Sequence, residues 1–168
     1  AAAIANAATM LLFVSANKTT TAANAIILQY IAPVSTAFIG AFLLKERTRI
    51  EHYAAIPLVV AGMIVMFFDE LGGGKLFGNI LAIMSAVTFS FYFVFMRMQK
   101  DGSPLESILL SHWLTAGICI VISLFLPVPH VTQKSLVAIA VLGVVQIGIS
   151  SILFSIAIKR ISAVSAIL

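Results

Sequence analysis

The sequence has 168 residues, of which 61% are hydrophobic and only 10% are charged, with a net charge of +4 and a mean hydropathy of +1.13. A soluble globular domain carries about 25% charged residues, so this composition excludes that class. The charged residues cluster between apolar stretches of roughly 18 to 24 residues, the length that crosses about 30 Å of hydrocarbon, and they predict an all-α, polytopic transmembrane helical bundle.

Six membrane spans and the start of a seventh are predicted in chain order. They run from Ala1 to about Asn17, Ala22 to Leu44, Tyr53 to Phe68, Leu76 to Met96, Ser107 to Leu126 and Ser135 to Ile158, and the seventh begins near Ala163. The loops between them are short and contain ordinary helix breakers, so no soluble domain is expected between spans. The sequence begins and ends inside apolar stretches, and we therefore expect a fragment of a longer protein.

Two segments near the ends of the chain repeat each other. The pattern from Phe13 to Ile26, FxxAxKxxTAxNAI, recurs 141 positions later from Phe154 to Ile167 as FxxAxKxxSAxSAI. Five apolar stretches separate the two copies, and an odd number of crossings puts equivalent loops on opposite sides of a bilayer. This arrangement is typical of transporters built from inverted repeats.

The basic residues of the loops predict the orientation of the chain by the positive-inside rule. Alternate loops hold seven basic residues and the intervening loops hold three. The richer set, which should face the cytoplasm, consists of Lys45, Arg47, Arg49, Arg97, Lys100, Lys159 and Arg160; the other set consists of Lys18, Lys75 and Lys134. Lys18 is then outside and its repeat partner Lys159 inside, as an inverted repeat requires.

A signature spans the second and third predicted helices. It consists of NAIILQYIAPVSTAFIG at 24–40, LLKERT at 43–48, and a stretch from Ile56 to Met63 that ends in Ala-Gly-Met. This pattern resembles the EamA family of the drug/metabolite transporter superfamily, and the likeness extends over the whole chain in helix length and order. The resemblance implies inverted five-helix repeats, truncated here at both ends: residues 1–70 would supply helices three to five, and residues 71–168 helices six to eight and the start of nine.

The resemblance also implies a function. Such a protein would be a multi-pass carrier, most readily of a bacterial inner membrane, that exports amino acids or related small metabolites by alternating access. Two alternatives stay open: a drug or lipid-carrier exporter of the same superfamily, and a non-transporting membrane scaffold or sensor. The expected partners are a small-molecule substrate and the lipid bilayer, and a homodimer is left open.

Chemistry other than transport finds no support in the sequence. No pair of His residues has the spacing of metal ligands, and no candidate nucleophile has a base beside it, so we expect neither an enzyme nor a metal or cofactor site. The sequence around Gly72 to Lys75 is not a phosphate-binding loop, because Asp69 stands where its first Gly should be. The basic loops account for the net charge, so nucleic acid is not an expected partner.

Candidate cavity residues are polar side chains within the spans, which would be costly against lipid. In the second span Gln29, Pro33, Thr36 and Gly40 share one helical face, with Tyr30 beside it. A mid-span Pro removes a backbone hydrogen bond and can expose a carbonyl to a cavity. We assign Gln29, Tyr30 and Pro33 to a substrate cavity, and we read Thr36 and Gly40 as part of a small-residue packing stripe.

The other spans add five candidates: Asn6, Tyr92, His112, Gln146 and Ser150. Tyr92 is the favoured cavity residue of its span, on a different face from the small-residue stripe of Ala82, Ala86 and Ser90. For Asn6 and Gln146, a hydrogen bond between helices is an equally good explanation.

His112 is the only ionisable side chain well inside a covered span. It is either a proton-coupled or substrate-contacting group, or a neutral His bonded to a neighbouring helix, and we favour the second reading. No carboxylate lies inside these spans, so proton coupling would need His112 or a residue elsewhere in the protein.

Overall fold

The computed structural model describes residues 1–45, 50–66, 75–126 and 132–167, and the regular secondary structure within these ranges is helical. The helices are α1 (Ala2–Thr19), α2 (Ala22–Gln29), α3 (Ala32–Leu43), α4 (Ile50–Met66), α5 (Leu76–Met98), α6 (Pro104–Ser123), α7 (Gln133–Val141), α8 (Ser150–Ala157) and α9 (Ala163–Ile167). A π-helical segment, Leu142–Ile149, joins α7 to α8 without interruption.

The predicted polytopic helical bundle is confirmed. Four helical stretches within the described ranges are long and apolar enough to cross a membrane: Ala22–Leu43, Leu76–Met98, Pro104–Ser123 and Gln133–Ala157. Helices α1 and α4 coincide in position with the two remaining predicted spans, and α9 begins at Ala163 as expected. The Glu46–Arg49 part of the signature and the proposed boundary between residues 70 and 71 lie outside the described residues.

Helix α1 packs most extensively against α5 and also contacts α6. The Thr9 hydroxyl donates a hydrogen bond to the Thr88 hydroxyl of α5 at 2.9 Å, and the Asn6 amide donates to the Ser111 hydroxyl of α6 at 3.1 Å. Asn6, Thr9 and Ser111 are buried. Because these polar groups meet protein partners, α1 is stable within the bundle although it is less apolar than α5 or α6.

Helix α5 packs against α1, α2, α3 and α9, and its small residues allow the close approach. Ala82, Ala86 and Ser90, the predicted packing stripe, have no exposed surface. The Ser90 hydroxyl donates to the Ala32 carbonyl at the start of α3, at 2.9 Å. Small side chains and a polar bond thus hold α3 against α5, as is common between helices in lipid.

The second predicted span is interrupted rather than continuous. Helix α2 ends at Gln29 and α3 begins at Ala32, and across the break the Ile31 amide donates to the Leu28 carbonyl at 3.2 Å. Pro33 has no N–H and cannot donate to the Gln29 carbonyl four residues earlier, so one helical hydrogen bond is missing at this point. The predicted disturbance at Pro33 is therefore a two-residue interruption, in which Tyr30 and Ile31 keep near-helical dihedral angles.

The sixth predicted span contains the π segment Leu142–Ile149, which was not predicted from the sequence. Gly143 and Gly148 stand five positions apart, the spacing of a π-helical turn, and a Cβ on Gly148 would lie 3.4 Å from the Gly143 carbonyl oxygen.

The two copies of the sequence repeat have the same local structure. The Thr21 hydroxyl caps α2 by accepting from the Asn24 amide at 3.2 Å, and the Ser162 hydroxyl accepts from the Ser165 amide at 3.2 Å at the start of α9. These pairs are 141 positions apart. The repeated Thr/Ser positions are therefore helix N-caps, the role for which short hydroxyl side chains are suited.

We expect Gly78→Ala to destabilise the bundle. A Cβ at Gly78 would lie 2.7 Å from the Thr19 Oγ1 and from two atoms of Thr20, at the point where α5 crosses the junction of α1 and α2. Such overpacking costs about 1–3 kcal/mol and should lower the thermal midpoint followed by circular dichroism in detergent. Gly117→Ala is the matched control, because no atom lies within 4 Å of its Cβ; equal midpoints for the two variants would contradict the prediction.

Candidate functional site

A cavity of about 150 Å³ lies at the break between α2 and α3. We call it the helix-break cavity, and its lining residues are Gln29, Tyr30, Ala32, Pro33, Phe89 and Ile167. Three of the predicted cavity residues, Gln29, Tyr30 and Pro33, therefore share one cavity.

The helix-break cavity lies near the middle of a membrane-spanning stretch and between the two repeat copies. The eight residues of α2, at 1.5 Å per residue, put the break about 12 Å from the start of the 22-residue stretch Ala22–Leu43. Ile167 comes from α9, the second copy of the repeat, where it corresponds to Ile26 of α2. The two repeat-related helices, α2 and α9, thus both contribute residues to the lining of one site within the stretch.

The polar groups at the cavity are uncharged. The Gln29 amide and the Tyr30 hydroxyl form no hydrogen bond with a described residue, and the Gln29 carbonyl lacks its helical partner because Pro33 cannot donate. The cavity volume equals that of about five water molecules. The site can therefore offer an amide, a phenol and a backbone carbonyl to a small polar molecule.

Tyr92 lies behind the cavity wall and is only 7% exposed. Its ring stacks on Phe89, with centroids 6.3 Å apart, and on Phe154, with centroids 6.1 Å apart. Phe93 packs edge-on against Phe89 and Phe154. Tyr92 is thus placed to hold the lining ring of Phe89 rather than to line the cavity itself.

Asn6 and His112 are bonded to neighbouring helices. Asn6 bonds Ser111 as described above, and the His112 Nε2 lies 3.3 Å from the Ser151 hydroxyl of α8. Neither residue lines the helix-break cavity. For both, the structure contains the interhelical hydrogen bond that the alternative explanation requires.

Gln146 and Ser150 are exposed and do not join the other candidates. Gln146 belongs to the π segment, and Ser150 is the first residue of α8. Most residues of the stretch Gln133–Ala157 have exposed surface, and neither of these two lines the cavity at Gln29.

Three lining residues were missed by the sequence reasoning: Ala32, Phe89 and Ile167. A signal was present for two of them, since Phe89 is one turn from Tyr92 and Ile167 is the repeat partner of Ile26.

Thr36, read as a packing residue, is fully buried, and its hydroxyl has no hydrogen-bond partner among the described residues. A Thr in a helix usually donates to the carbonyl four residues earlier, which for Thr36 is that of Ala32. In this structure the Ser90 hydroxyl donates to the Ala32 carbonyl instead.

Comparison with known proteins identifies the family. The model of the EamA-like transporter family matches residues 1–68 and 76–168. The chain belongs to this family. The present chain is also similar to a solved structure whose title is "Crystal structure of protein". The two have a TM-score of 0.76 and 26% sequence identity, over 94% of this chain and 57% of that chain. This EamA-like chain thus spans less than two thirds of the length of the solved chain. No curated protein matches the present sequence.

We expect a cysteine at Gln29 to react with small aqueous thiol reagents, because this position lines the cavity. The test uses a Cys119→Ser background, since Cys119 is exposed. Ser90→Cys is the matched control, being fully buried between α5 and α3. Labelling would be followed by mass spectrometry in membranes; an inert Gln29→Cys, or equal rates at both positions, would contradict an accessible cavity.

Proposed function

We propose that this chain is part of a carrier that exports amino acids or related small metabolites across a bacterial inner membrane by alternating access. The observation that carries the proposal is the helix-break cavity, which lies at mid-depth between elements of the two repeat copies. Substrate sites at the interface of repeats, formed by discontinuous helices, are typical of secondary transporters.

The chemistry of the break suits a zwitterionic substrate. The Gln29 carbonyl at the C-terminal end of α2 can accept hydrogen bonds from an ammonium group. The N-terminal end of α3 at Ala32 carries the partial positive charge that favours a carboxylate. Gln29 and Tyr30 add neutral hydrogen-bonding side chains beside them. An amino acid presents both of the charged groups that this arrangement complements.

We further propose that residues 1–70 and 71–168 belong to two five-helix halves of a ten-helix protein. Two observations support this division: the identical caps at Thr21 and Ser162, and a similar solved chain of which this one covers 57%. In such a carrier the α2–α3 break and α9 would lie on opposite sides of the moving interface. Relative motion of the halves would then open the cavity to each side in turn.

We expect Gln29→Ala to raise the KM for substrate about 5–10-fold, the effect of losing one hydrogen bond of about 1–1.5 kcal/mol. The measurement is counterflow of radiolabelled amino acids in liposomes that contain the ten-helix protein. Ser123→Ala is the matched control, because its exposed hydroxyl bonds only the Ile120 carbonyl of its own helix. Absence of flux for every amino acid tested, with a folded protein, would contradict amino-acid export and favour one of the two alternatives, the drug or lipid-carrier exporter or the scaffold.

We expect His112→Gln to transport within twofold of the unchanged protein and with the same pH dependence. A Gln side chain can keep the hydrogen bond that His112 forms with Ser151. The same liposome assay, run between pH 5.5 and 8, checks this. A flux that loses its dependence on pH in the variant would instead make His112 a coupling group.

A further inference from the structure

A second cavity, of about 290 Å³, lies between the start of α6 and the end of α8. We call it the interfacial basic pocket. Lys159 and Arg160 form its charged side, and Ser103 and Pro104 form part of the opposite side. It shares no lining residue with the helix-break cavity, so it is a separate site.

No described acidic side chain pairs with the positive charges of this pocket. Lys159 and Arg160 are exposed, and neither forms an ion pair with a described acidic residue. Glu106, in the first turn of α6, is exposed and does not line the pocket. The start of α6 adds a partial positive charge, but the two side chains supply the full charges. The pocket is therefore suited to an anion.

Its backbone is held in place by Arg97 of α5. The Arg97 guanidinium donates to the Ile158 carbonyl at 2.9 Å and to the Lys159 carbonyl at 3.3 Å. These are carbonyls at the C-terminal end of α8, which would otherwise lack helical partners. The two cations thus project from a fixed turn rather than from a free loop.

The pocket lies at the depth of lipid headgroups. The pocket lies between the first residue of α6 and the residues just after α8. Both helices belong to stretches apolar enough to cross a membrane, so the pocket lies at the ends of two spans. The positive-inside rule puts Lys159 and Arg160 on the cytoplasmic side. Leu105 and Ile156 line the pocket, and one turn deeper on the same helices Leu109 and Ile152 are exposed. A polar basic site thus continues into an apolar surface.

We propose that the interfacial basic pocket binds the headgroup phosphate of an anionic phospholipid of the cytoplasmic leaflet, whose acyl chains lie along the apolar surface of α6 and α8. Basic pockets between transmembrane helices on this side are suited to such headgroups, since each Lys or Arg attracts them. The apolar continuation favours a lipid over a free phosphate, because an inorganic ion gains nothing from it.

The test measures lipid bound to the purified protein by native mass spectrometry in a neutral detergent. We expect retention of phosphatidylglycerol over phosphatidylcholine, and about a tenfold loss of that preference in the double variant Lys159→Gln/Arg160→Gln. Lys18→Gln/Lys134→Gln is the matched control, because it removes the same charge from the opposite, non-cytoplasmic set. Lys100→Gln tests a cation of the same side that does not line the pocket.

Two further variants separate the effect of charge from the effect of space in the pocket. Lys159→Arg/Arg160→Lys keeps the charges and should keep the lipid, whereas Leu105→Trp fills the pocket without changing charge and should lower retention. An equal loss in the Lys18/Lys134 control, or no preference for phosphatidylglycerol, would overturn the proposal. Displacement of the lipid by millimolar inorganic phosphate would also overturn it, by showing a site for the free ion.

Discussion

The hydrocarbon of a bilayer offers no hydrogen-bond partners, so every backbone amide and carbonyl in this chain must find one within the protein. Helices satisfy that constraint along most of the described residues. It fails where Pro33 cannot donate to the Gln29 carbonyl and α2 gives way to α3. The break is tolerable because α5 and α9 enclose it: Ser90 bonds the Ala32 carbonyl, and Ile167 closes one side of the cavity. The Gln29 carbonyl without its helical partner would be costly against lipid, but at the helix-break cavity it provides a polar group.

The polar side chains of the spans divide into two groups by their partners. Thr9 with Thr88, Asn6 with Ser111 and His112 with Ser151 are pairs that join helices, and each pair uses hydrogen bonds that lipid cannot replace. Gln29 and Tyr30, in contrast, have side-chain polar groups with no hydrogen-bond partner in the described part of the chain, and they line a cavity. This difference, rather than polarity itself, separates residues that hold the bundle together from those that we propose to contact substrate.

The proposed functions use different chemistry at different depths. The helix-break cavity is neutral and lies near the membrane midplane, where a small zwitterion would be handed from one side to the other. The interfacial basic pocket is cationic and lies at the ends of α6 and α8, where a lipid phosphate would hold these two helices together. The second site would thus stabilise the half of the fold that carries α9, while α9 itself supplies Ile167 to the first site.

The sequence by itself determined the membrane-spanning class, the approximate positions of the spans and the repeat, because hydropathy and sequence periodicity depend on the order of residues alone. It did not determine the interruption between α2 and α3 or the π segment. It did indicate Gln29, Tyr30 and Pro33 as one group, since they lie on or beside one face of the second span. Only the tertiary structure brought Phe89 and Ile167 to them, because these residues come from α5 and α9. It likewise decided that Tyr92 stands behind Phe89 and that Asn6 and His112 bond other helices, while Gln146 and Ser150 remain exposed. Helical spacing specifies which face a side chain occupies, but which neighbour covers that face depends on how distant helices pack.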